Sequence, residues 1–183
     1  MKEAIRTRNN YNNDMKDIII IRIFRGRKKK TSCIKGEIIM QVIKYVFQPH
    51  GDSRGQLVAL EEFKDIPFSI KRVYYMYDTG EGVVRGQHAH KSLQQILVCI
   101  HGSCKIELDN GKEKKIIPLE KPYEGLFVSN VIWRKMFDFS PDAVLMVLAS
   151  EFYDEEDYIR DYNEFLDYVK KCSDNVTVNG ISE

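Results

Sequence analysis

Short runs of β-branched, aromatic and aliphatic residues recur along the chain from residue 41 onward, separated by polar turn segments. Segments such as Asp109-Asn110-Gly111 carry the residue types that tight turns require. Many short strands without intervening helices are typical of an antiparallel sandwich or barrel. The runs predicted as strands are 42–47, 56–60, 70–77, 96–100, 103–108, 115–119, 126–128 and 143–149. We therefore predict an all-β fold, a double-sheet jelly roll.

The C-terminal part of the chain has a different periodicity. Within 153–171, apolar residues recur at three- and four-residue steps, which is typical of one face of a helix. Asp154 is placed to cap the start of such a helix, and Asp157 three positions later partly imitates a capping box. These apolar positions are Tyr158, Tyr162, Phe165, Leu166 and Val169. We predict a C-terminal helix packed on the barrel, followed by a frayed tail over 173–183.

Charge divides the chain into two parts. The 183 residues have a formal net charge of +1, but the first 40 carry eleven Lys and Arg against four Asp and Glu, which leaves a mildly acidic remainder. We predict a basic, poorly ordered extension over 1–40, with a polyanion-binding arm as the alternative, and a folded domain over 41–172. The overall balance indicates neither a nucleic acid nor a membrane surface as partner.

The sequence also bears on the cellular compartment. The apolar run at 18–21 is much shorter than the roughly 20 residues of a membrane-spanning helix. The densest cluster of basic residues in the N-terminal segment follows this run, whereas a secretory signal has its basic residues before the apolar stretch. The four cysteines show no C-x-x-C spacing. We therefore expect reduced thiols and a cytoplasmic protein.

The candidate chemistry is concentrated in 82–102, which contains His88 and His90. Two residues that are two positions apart on a strand point to the same face of the sheet. Two imidazoles on one face can share a metal ion or serve as an acid–base pair, because their ordinary pKa of about 6.5 suits proton transfer near neutrality.

This stretch resembles the first motif of the cupin superfamily, with Gly82, His88, His90 and Gly102 in register. The acidic metal ligand of that motif is replaced by Gln94 or Gln95, and a neutral amide offers no anionic oxygen. In the second cupin motif, Met136 stands where the ligand histidine would be. The resemblance therefore implies a cupin-type double-stranded β-helix without a bound metal, in which the histidines transfer protons.

A narrower resemblance covers 41–170, in order. The segments that carry it include Asp52-Ser53-Arg54-Gly55, Ile66-Pro67-Phe68-Ser69-Ile70-Lys71-Arg72-Val73-Tyr74-Tyr75, Arg85-Gly86-Gln87-His88-Ala89-His90-Lys91, and Glu151-Phe152-Tyr153-Asp154-Glu155-Glu156-Asp157-Tyr158-Ile159-Arg160. In these segments the chain is similar to the nucleotide-sugar 3,4-ketoisomerases, the dTDP-4-oxo-6-deoxyglucose isomerases and their WxcM-like relatives. The resemblance implies a cofactor-free conversion of a dTDP-linked 4-oxo-6-deoxyhexose to its 3-oxo isomer, for synthesis of a 3-amino-3,6-dideoxy sugar of a surface polysaccharide or glycan.

The resemblance and the residue chemistry together indicate which side chains serve the reaction. A base at C3 of the sugar gives an enediol, and reprotonation at C4 completes the isomerisation. We expect His88 to be that base and His90 to position, polarise or protonate the neighbouring oxygen, although spacing alone leaves their order open. Which face of C4 is reprotonated, giving a galacto or a gluco product, also stays open.

Further residues are candidates for holding the substrate. Guanidinium groups pair bidentately with phosphate oxygens, so we expect arginines to hold the pyrophosphate. Tyr74 shares a strand face with Arg72 and can donate to a sugar oxyanion. Trp133 is a candidate for stacking on thymine, with a core position as the alternative. The expected substrate-binding residues are Arg54, Arg72, Tyr74, Arg85, Trp133 and Arg134, the last standing where some relatives carry histidine.

Alternatives to the isomerase interpretation come from other functional classes. A related cupin epimerase inverts carbons beside the carbonyl without moving it, and a non-catalytic cupin uses the same pocket only to bind a sugar nucleotide. The missing ligands argue against a metal-dependent oxygenase. The resemblance also implies a homodimer, to which the runs 42–47 and 56–60 can contribute by pairing with a partner's sheet edge.

Overall fold

The computed structural model describes residues 19–22 and 42–178, with side chains described over 42–173. All eight predicted strand runs are found, with ends displaced by at most two residues. The strands are β1 Ile19–Arg22, β2 Val42–Val46, β3 Pro49–Asp52, β4 Gly55–Val58, β5 Arg72–Met76, β6 Arg85–His90, β7 Gln95–His101, β8 Cys104–Asp109, β9 Lys114–Leu119, β10 Glu124–Val128, β11 Trp133–Phe137, β12 Val144–Ala149 and β13 Tyr158–Ile159, and the helix α1 is Tyr162–Val178.

The strands form two facing sheets and a separate hairpin. One sheet has the order β1-β2-β10-β7-β12-β5, the other has the order β13-β6-β11-β8-β9, and β3 pairs only with β4. The pairs between these strands are antiparallel, apart from β1 with β2. This is the double-sheet jelly roll that the sequence predicts. The rest of the predicted extension over 1–40 lies outside the described residues.

The main hydrophobic core fills the space between the two sheets. Strand alternation directs Leu97 and Leu145 of one sheet towards Ile106 of the other, and all three side chains are fully buried. A second cluster covers the outer face of the six-stranded sheet, where Ile66 and Phe68 pack on it from the segment before β5. The core leaves one end of the inter-sheet space to polar side chains.

The C-terminal helix is present, but its predicted start at residue 153 is wrong. Asp154 caps a single 3₁₀ turn, Glu155–Asp157, and the chain then extends into β13. The N-cap of α1 is Asp161, whose Oδ1 accepts hydrogen bonds from the backbone N–H groups of Asn163 and Glu164. The helix continues to Val178, beyond the predicted domain end at residue 172. No helix in the described part of the chain is long and apolar enough to cross a membrane.

Candidate active site

A cavity of about 480 Å³ opens between the two sheets at one end of the barrel. Strand β5 contributes to one wall, strands β6 and β11 form the opposite wall, and the segment after β12 lies at the mouth. The lining residues are Arg72, Tyr74, Met76, Val84, Arg85, Gly86, His88, Arg134, Met136, Tyr153, Tyr158 and Arg160. The cavity combines several arginines with aromatic rings and a histidine, a lining that suits an anionic ligand with a ring to stack.

Strand β5 places Arg72 and Tyr74 side by side, as the sequence predicts. Alternate residues of this strand are half-buried and face the cavity, whereas Val73 and Tyr75 face solvent. The Arg72 guanidinium lies over the ring of Tyr74 at 5.3 Å and over that of Tyr153 at 5.6 Å from the ring centroids. Within residues 42–173, Arg72 and Arg85 form no ion pair with a carboxylate. Both guanidinium groups can therefore bind a phosphate.

A β-bulge explains how Arg85 reaches the cavity. His88 pairs with Arg134, but Met136 pairs with Arg85 rather than with Gly86, so one extra residue lies between the two pairs on β6. Gly86 has φ +88°, a conformation that favours glycine, and an added Cβ would lie 3.2 Å from Met136 Cε. The bulge reverses the strand's alternation, which directs Arg85 to the same face as His88.

Arg134 holds the two histidines together. Its Nη2 donates to Nε2 of His88 at 2.7 Å and to Nε2 of His90 at 3.1 Å. Because arginine is only a donor, both Nε2 atoms must be unprotonated acceptors. Each neutral imidazole therefore carries its proton on Nδ1, and His90 donates that proton to Asp157 Oδ2 at 2.8 Å. His88 lines the cavity, and His90 is buried behind it.

The surroundings keep both imidazoles neutral. Burial and the positive charge of Arg134 lower the pKa of His88 from 6.5 to about 2. The same two causes lower the pKa of His90 to about 3, although Asp157 acts in the opposite direction. Burial also lowers the pKa of Arg134, which still carries its charge because arginine does not lose its proton in proteins. His88 is consequently neutral, with its proton on Nδ1 and its Nε2 lone pair held by Arg134.

The segment after β12 supplies side chains that sequence reasoning did not assign to the site. The Tyr158 ring packs on both imidazoles, with centroids 4.7 Å from His88 and 4.3 Å from His90. Arg160 lies 4.4 Å from the Tyr158 centroid and forms a bidentate ion pair with Glu155. A usable signal exists: Tyr158 and Arg160 are two positions apart, as residues on one face of an extended segment are.

Tyr74 lines the cavity, and Gln95 lies behind it. Gln95, at one of the two positions expected to replace the acidic cupin ligand, is buried, and its Nε2 donates to Tyr74 Oη at 2.8 Å. Because the Tyr74 oxygen accepts this bond, its own hydroxyl proton stays free for a ligand oxygen. The donor set does not suit a metal ion: no group of three His, Cys, Asp or Glu side chains within the described ranges could hold one.

Two expected substrate-binding residues lie away from the cavity. Trp133 precedes the inward-facing Arg134 on β11, so strand alternation directs it to the other face. There it packs against Tyr162 and Phe165 of α1, and the structure gives it the core position instead of a stacking position. Arg54 lies at the tip of the β3–β4 hairpin, where its exposed side chain pairs with Asp52.

Comparisons with known proteins support a single family. The family model described as "FdtA: WxcM-like, C-terminal" matches residues 40–170. A TDP-4-oxo-6-deoxy-α-D-glucose-3,4-oxoisomerase of Aneurinibacillus thermoaerophilus is 57% identical over 122 residues, which cover 67% of this chain and 88% of that protein.

Two solved structures have the same fold. A 3,4-ketoisomerase from Helicobacter canadensis is 50% identical with a TM-score of 0.70, and the match covers 72% of this chain and 98% of the other. A mutant 3,4-ketoisomerase from Thermoanaerobacterium thermosaccharolyticum, in complex with TDP-4-keto-6-deoxyglucose, is 47% identical with a TM-score of 0.70, over 71% and 94% of the two chains.

Proposed function

We propose a function from the premise that this chain belongs to the family described as "FdtA: WxcM-like, C-terminal". It is a sugar-nucleotide 3,4-ketoisomerase, and its substrate is dTDP-4-oxo-6-deoxyglucose. The observation that carries the proposal is the neutral His88 imidazole, which lines a cavity with Arg72 and Arg85 on facing walls. That arrangement offers one base for a carbon-bound proton and two cations for a pyrophosphate.

The reaction needs proton transfer and oxyanion stabilisation. The hydrogen at C3 is acidic because C3 adjoins the C4 carbonyl, so its removal gives an enediolate. Proton movement between the two oxygens and protonation at C4 then yield the 3-oxo sugar. In our proposal His88 takes the C3 proton, and the free hydroxyl proton of Tyr74 stabilises the developing oxyanion. His90 acts behind His88, through the Arg134 guanidinium that both rings share.

Substrate binding resolves an apparent difficulty, since a histidine with a pKa of about 2 is a weak base. Arg134 is one cause of that low value, and its Nη2 also occupies the Nε2 lone pair of His88. The negative charges of the pyrophosphate and the enediolate offset the charge of Arg134, and a sugar oxygen competes for its Nη2 donor. Both effects raise the basicity of His88 when the proton must be taken.

The test compares the wild-type chain with His88→Asn and with the matched control His101→Asn, whose exposed ring pairs with Asp142. Each is incubated with dTDP-4-oxo-6-deoxyglucose, and the carbonyl position is followed by NMR. We expect wild type and His101→Asn to form the 3-oxo sugar, and His88→Asn to lose about 10³-fold in rate or more.

Other products identify the alternatives. An inverted sugar that keeps its C4 carbonyl identifies an epimerase. Binding without turnover by the wild-type chain identifies a non-catalytic sugar-binding protein. A near-wild-type rate for His88→Asn contradicts the assignment of the base.

The cellular context is a further proposal. The product suits a transamination at C3 that leads to a 3-amino-3,6-dideoxy sugar of a surface glycan. We place the enzyme in the cytoplasm, where the thiols of Cys99 and Cys104, which form no disulfide, stay reduced. Cell fractionation tests this location.

A homodimer remains our expectation for the quaternary structure. The edge strand β5 exposes Val73, Tyr75 and, just beyond it, Tyr77, at 53%, 64% and 61% of their surface. Contiguous apolar side chains at a sheet edge favour association. Light scattering should give twice the 21.4 kDa chain mass, and a value of one chain mass would contradict the expectation.

A further inference from the structure

Asp157 lies directly behind the paired histidines without lining the cavity. It ends the 3₁₀ turn Glu155–Asp157, and its backbone carbonyl accepts a hydrogen bond from the Lys91 N–H. Its carboxylate reaches His90, 67 positions earlier in the sequence. The proposed proton transfer and phosphate binding do not involve this carboxylate.

The two carboxylate oxygens of Asp157 have separate partners. Oδ1 accepts from the Ser92 backbone N–H at 2.8 Å and from Ser92 Oγ at 2.6 Å, and Oδ2 accepts from His90 Nδ1 at 2.8 Å. Burial raises the pKa of Asp157, but the hydrogen bonds from Ser92 and the contact with His90 outweigh burial and lower it. The carboxylate is therefore ionised near neutrality and only accepts hydrogen bonds.

The chain of contacts continues from His90 to the reacting face. An acceptor at Nδ1 fixes the His90 proton there and leaves Nε2 bare towards Arg134 Nη2. The same Nη2 donates its other hydrogen to Nε2 of His88, which lines the cavity. A reversed His90 would present an N–H to the guanidinium, donor against donor, and would displace the group that holds His88.

We propose that Asp157 is a positioning residue of the isomerase, which together with Arg134 fixes the Nδ1–H tautomer of His90 and thereby keeps Arg134 seated against His88. Its effect on rate rests on the proposed function, whereas its effect on the tautomer does not. Residues that orient a histidine through its second nitrogen have this role in other proton-transfer sites.

The structure allows a sharp choice of variants. In Asp157→Asn, the Ser92 backbone N–H still requires an oxygen, so the new amide must direct its NH₂ group to His90 Nδ1. His90 then has to move its proton to Nε2, against Arg134. Asp157→Ala loses three hydrogen bonds but places no donor beside His90 Nδ1. Arg134 therefore keeps Nε2 of His90 unprotonated, and the tautomer does not change. Asp154→Asn is the matched control: it removes an equal charge from the same turn, and Asp154 has no contact with His90.

The first measurement is the ¹⁵N NMR spectrum of the imidazoles in the substrate-free protein. We expect a protonated Nδ1 on His90 in the wild type, Asp157→Ala and Asp154→Asn, and a protonated Nε2 in Asp157→Asn. A protonated Nε2 on His90 in the wild type overturns the proposal, and so does an unchanged tautomer in Asp157→Asn. Should the Asp157 variants fail to fold, a protonated Nε2 on His90 of the wild type still overturns the proposal.

The second measurement is turnover of dTDP-4-oxo-6-deoxyglucose. We expect kcat of Asp157→Asn to fall by about 10²-fold with little change in KM, that of Asp157→Ala to fall less, and that of Asp154→Asn to match the wild type. A purely structural role predicts the opposite order, because alanine loses more hydrogen bonds than asparagine, and that order overturns the proposal. If the wild type converts no 4-oxo sugar, the proposed function fails while the spectra still decide the tautomer.

Discussion

Acidification should destabilise this protein through His88, which is half-buried, and His90, which is buried. In the folded chain, burial and the Arg134 charge lower the pKa of His88 to about 2 and that of His90 to about 3. In the unfolded chain both return to about 6.5. Between these values the unfolded state binds more protons than the folded state, so the free energy of unfolding falls as the pH falls.

The magnitude follows from the distance between pH and the unfolded pKa. A pH of 5.0 is about 1.5 units below the pKa of an unfolded histidine, so the unfolded ring is protonated while the folded ring stays neutral. Each ring then costs about 2 kcal/mol relative to pH 7.5, where neither state is appreciably protonated. The two rings together account for a loss of about 4 kcal/mol, a large part of the stability of an ordinary domain.

Urea unfolding between pH 7.5 and 5.0 measures this loss. Trp133 is the single tryptophan of the chain and is buried against α1, so its fluorescence reports unfolding. We expect His88→Asn to lose about 2 kcal/mol less than the wild type over this range. The control His101→Asn leaves His88 and His90 in place and should follow the wild type. Equal losses in the wild type and His88→Asn would refute the argument that His88 is held neutral.

Three substitutions test separate features of the site. Gly86→Ala should lower the free energy of unfolding in urea by about 1–2 kcal/mol and raise KM, because a φ of +88° is strained for alanine and the bulge at this position directs Arg85. The control Gly80→Ala should change neither quantity, since its Cβ would lie no closer than 3.7 Å to its neighbours. Tyr74→Phe should lower kcat by about 10²-fold or more in a steady-state assay if its hydroxyl stabilises the oxyanion; an unchanged kcat would remove it from the mechanism. Trp133→Ala should cost about 3–5 kcal/mol in stability with KM unchanged, since this ring packs on the helix; a raised KM in folded protein would return it to the binding site.

Strand alternation and turn chemistry were sufficient to predict the fold. The predicted runs match strands because each run has apolar residues that face the core and turn-forming residues at its ends. The start of the helix was not predictable in the same way, because Asp154 and Asp161 both precede segments that they can cap. The choice depends on Tyr158 and Ile159, whose strand pairing with β6 keeps these two residues extended and stops the helix from starting at Asp154. That pairing is a tertiary interaction and leaves no local signal.

The site was predictable where it depends on spacing along one strand. His88 with His90, and Arg72 with Tyr74, are two positions apart, and the structure places each pair on one face. Arg85 faces the cavity only because of a bulge, which parity does not reveal. Trp133 could have been placed correctly, since an inward-facing neighbour at 134 directs it outward.

The contribution of Asp157 was not predictable from the sequence. It depends on two distant segments that meet in β13 and β6, where the turn that ends at Asp157 is brought beside Ser92. Its position in the sequence indicated only a local role in helix capping, because side-chain partners 65 or more positions away leave no trace in spacing.

The central claim is that His88 removes the C3 proton of a 4-oxo sugar without a metal ion. A proton NMR time course with dTDP-4-oxo-6-deoxyglucose in deuterated buffer, with and without a chelator, tests it most directly. We predict loss of the C3 proton signal as a 3-oxo product forms, at the same rate with and without chelator. The coupling of the C4 proton, read on product formed in ordinary water, will distinguish galacto from gluco. A C3 signal that persists while its lines broaden on binding, or turnover that the chelator abolishes, would contradict the account.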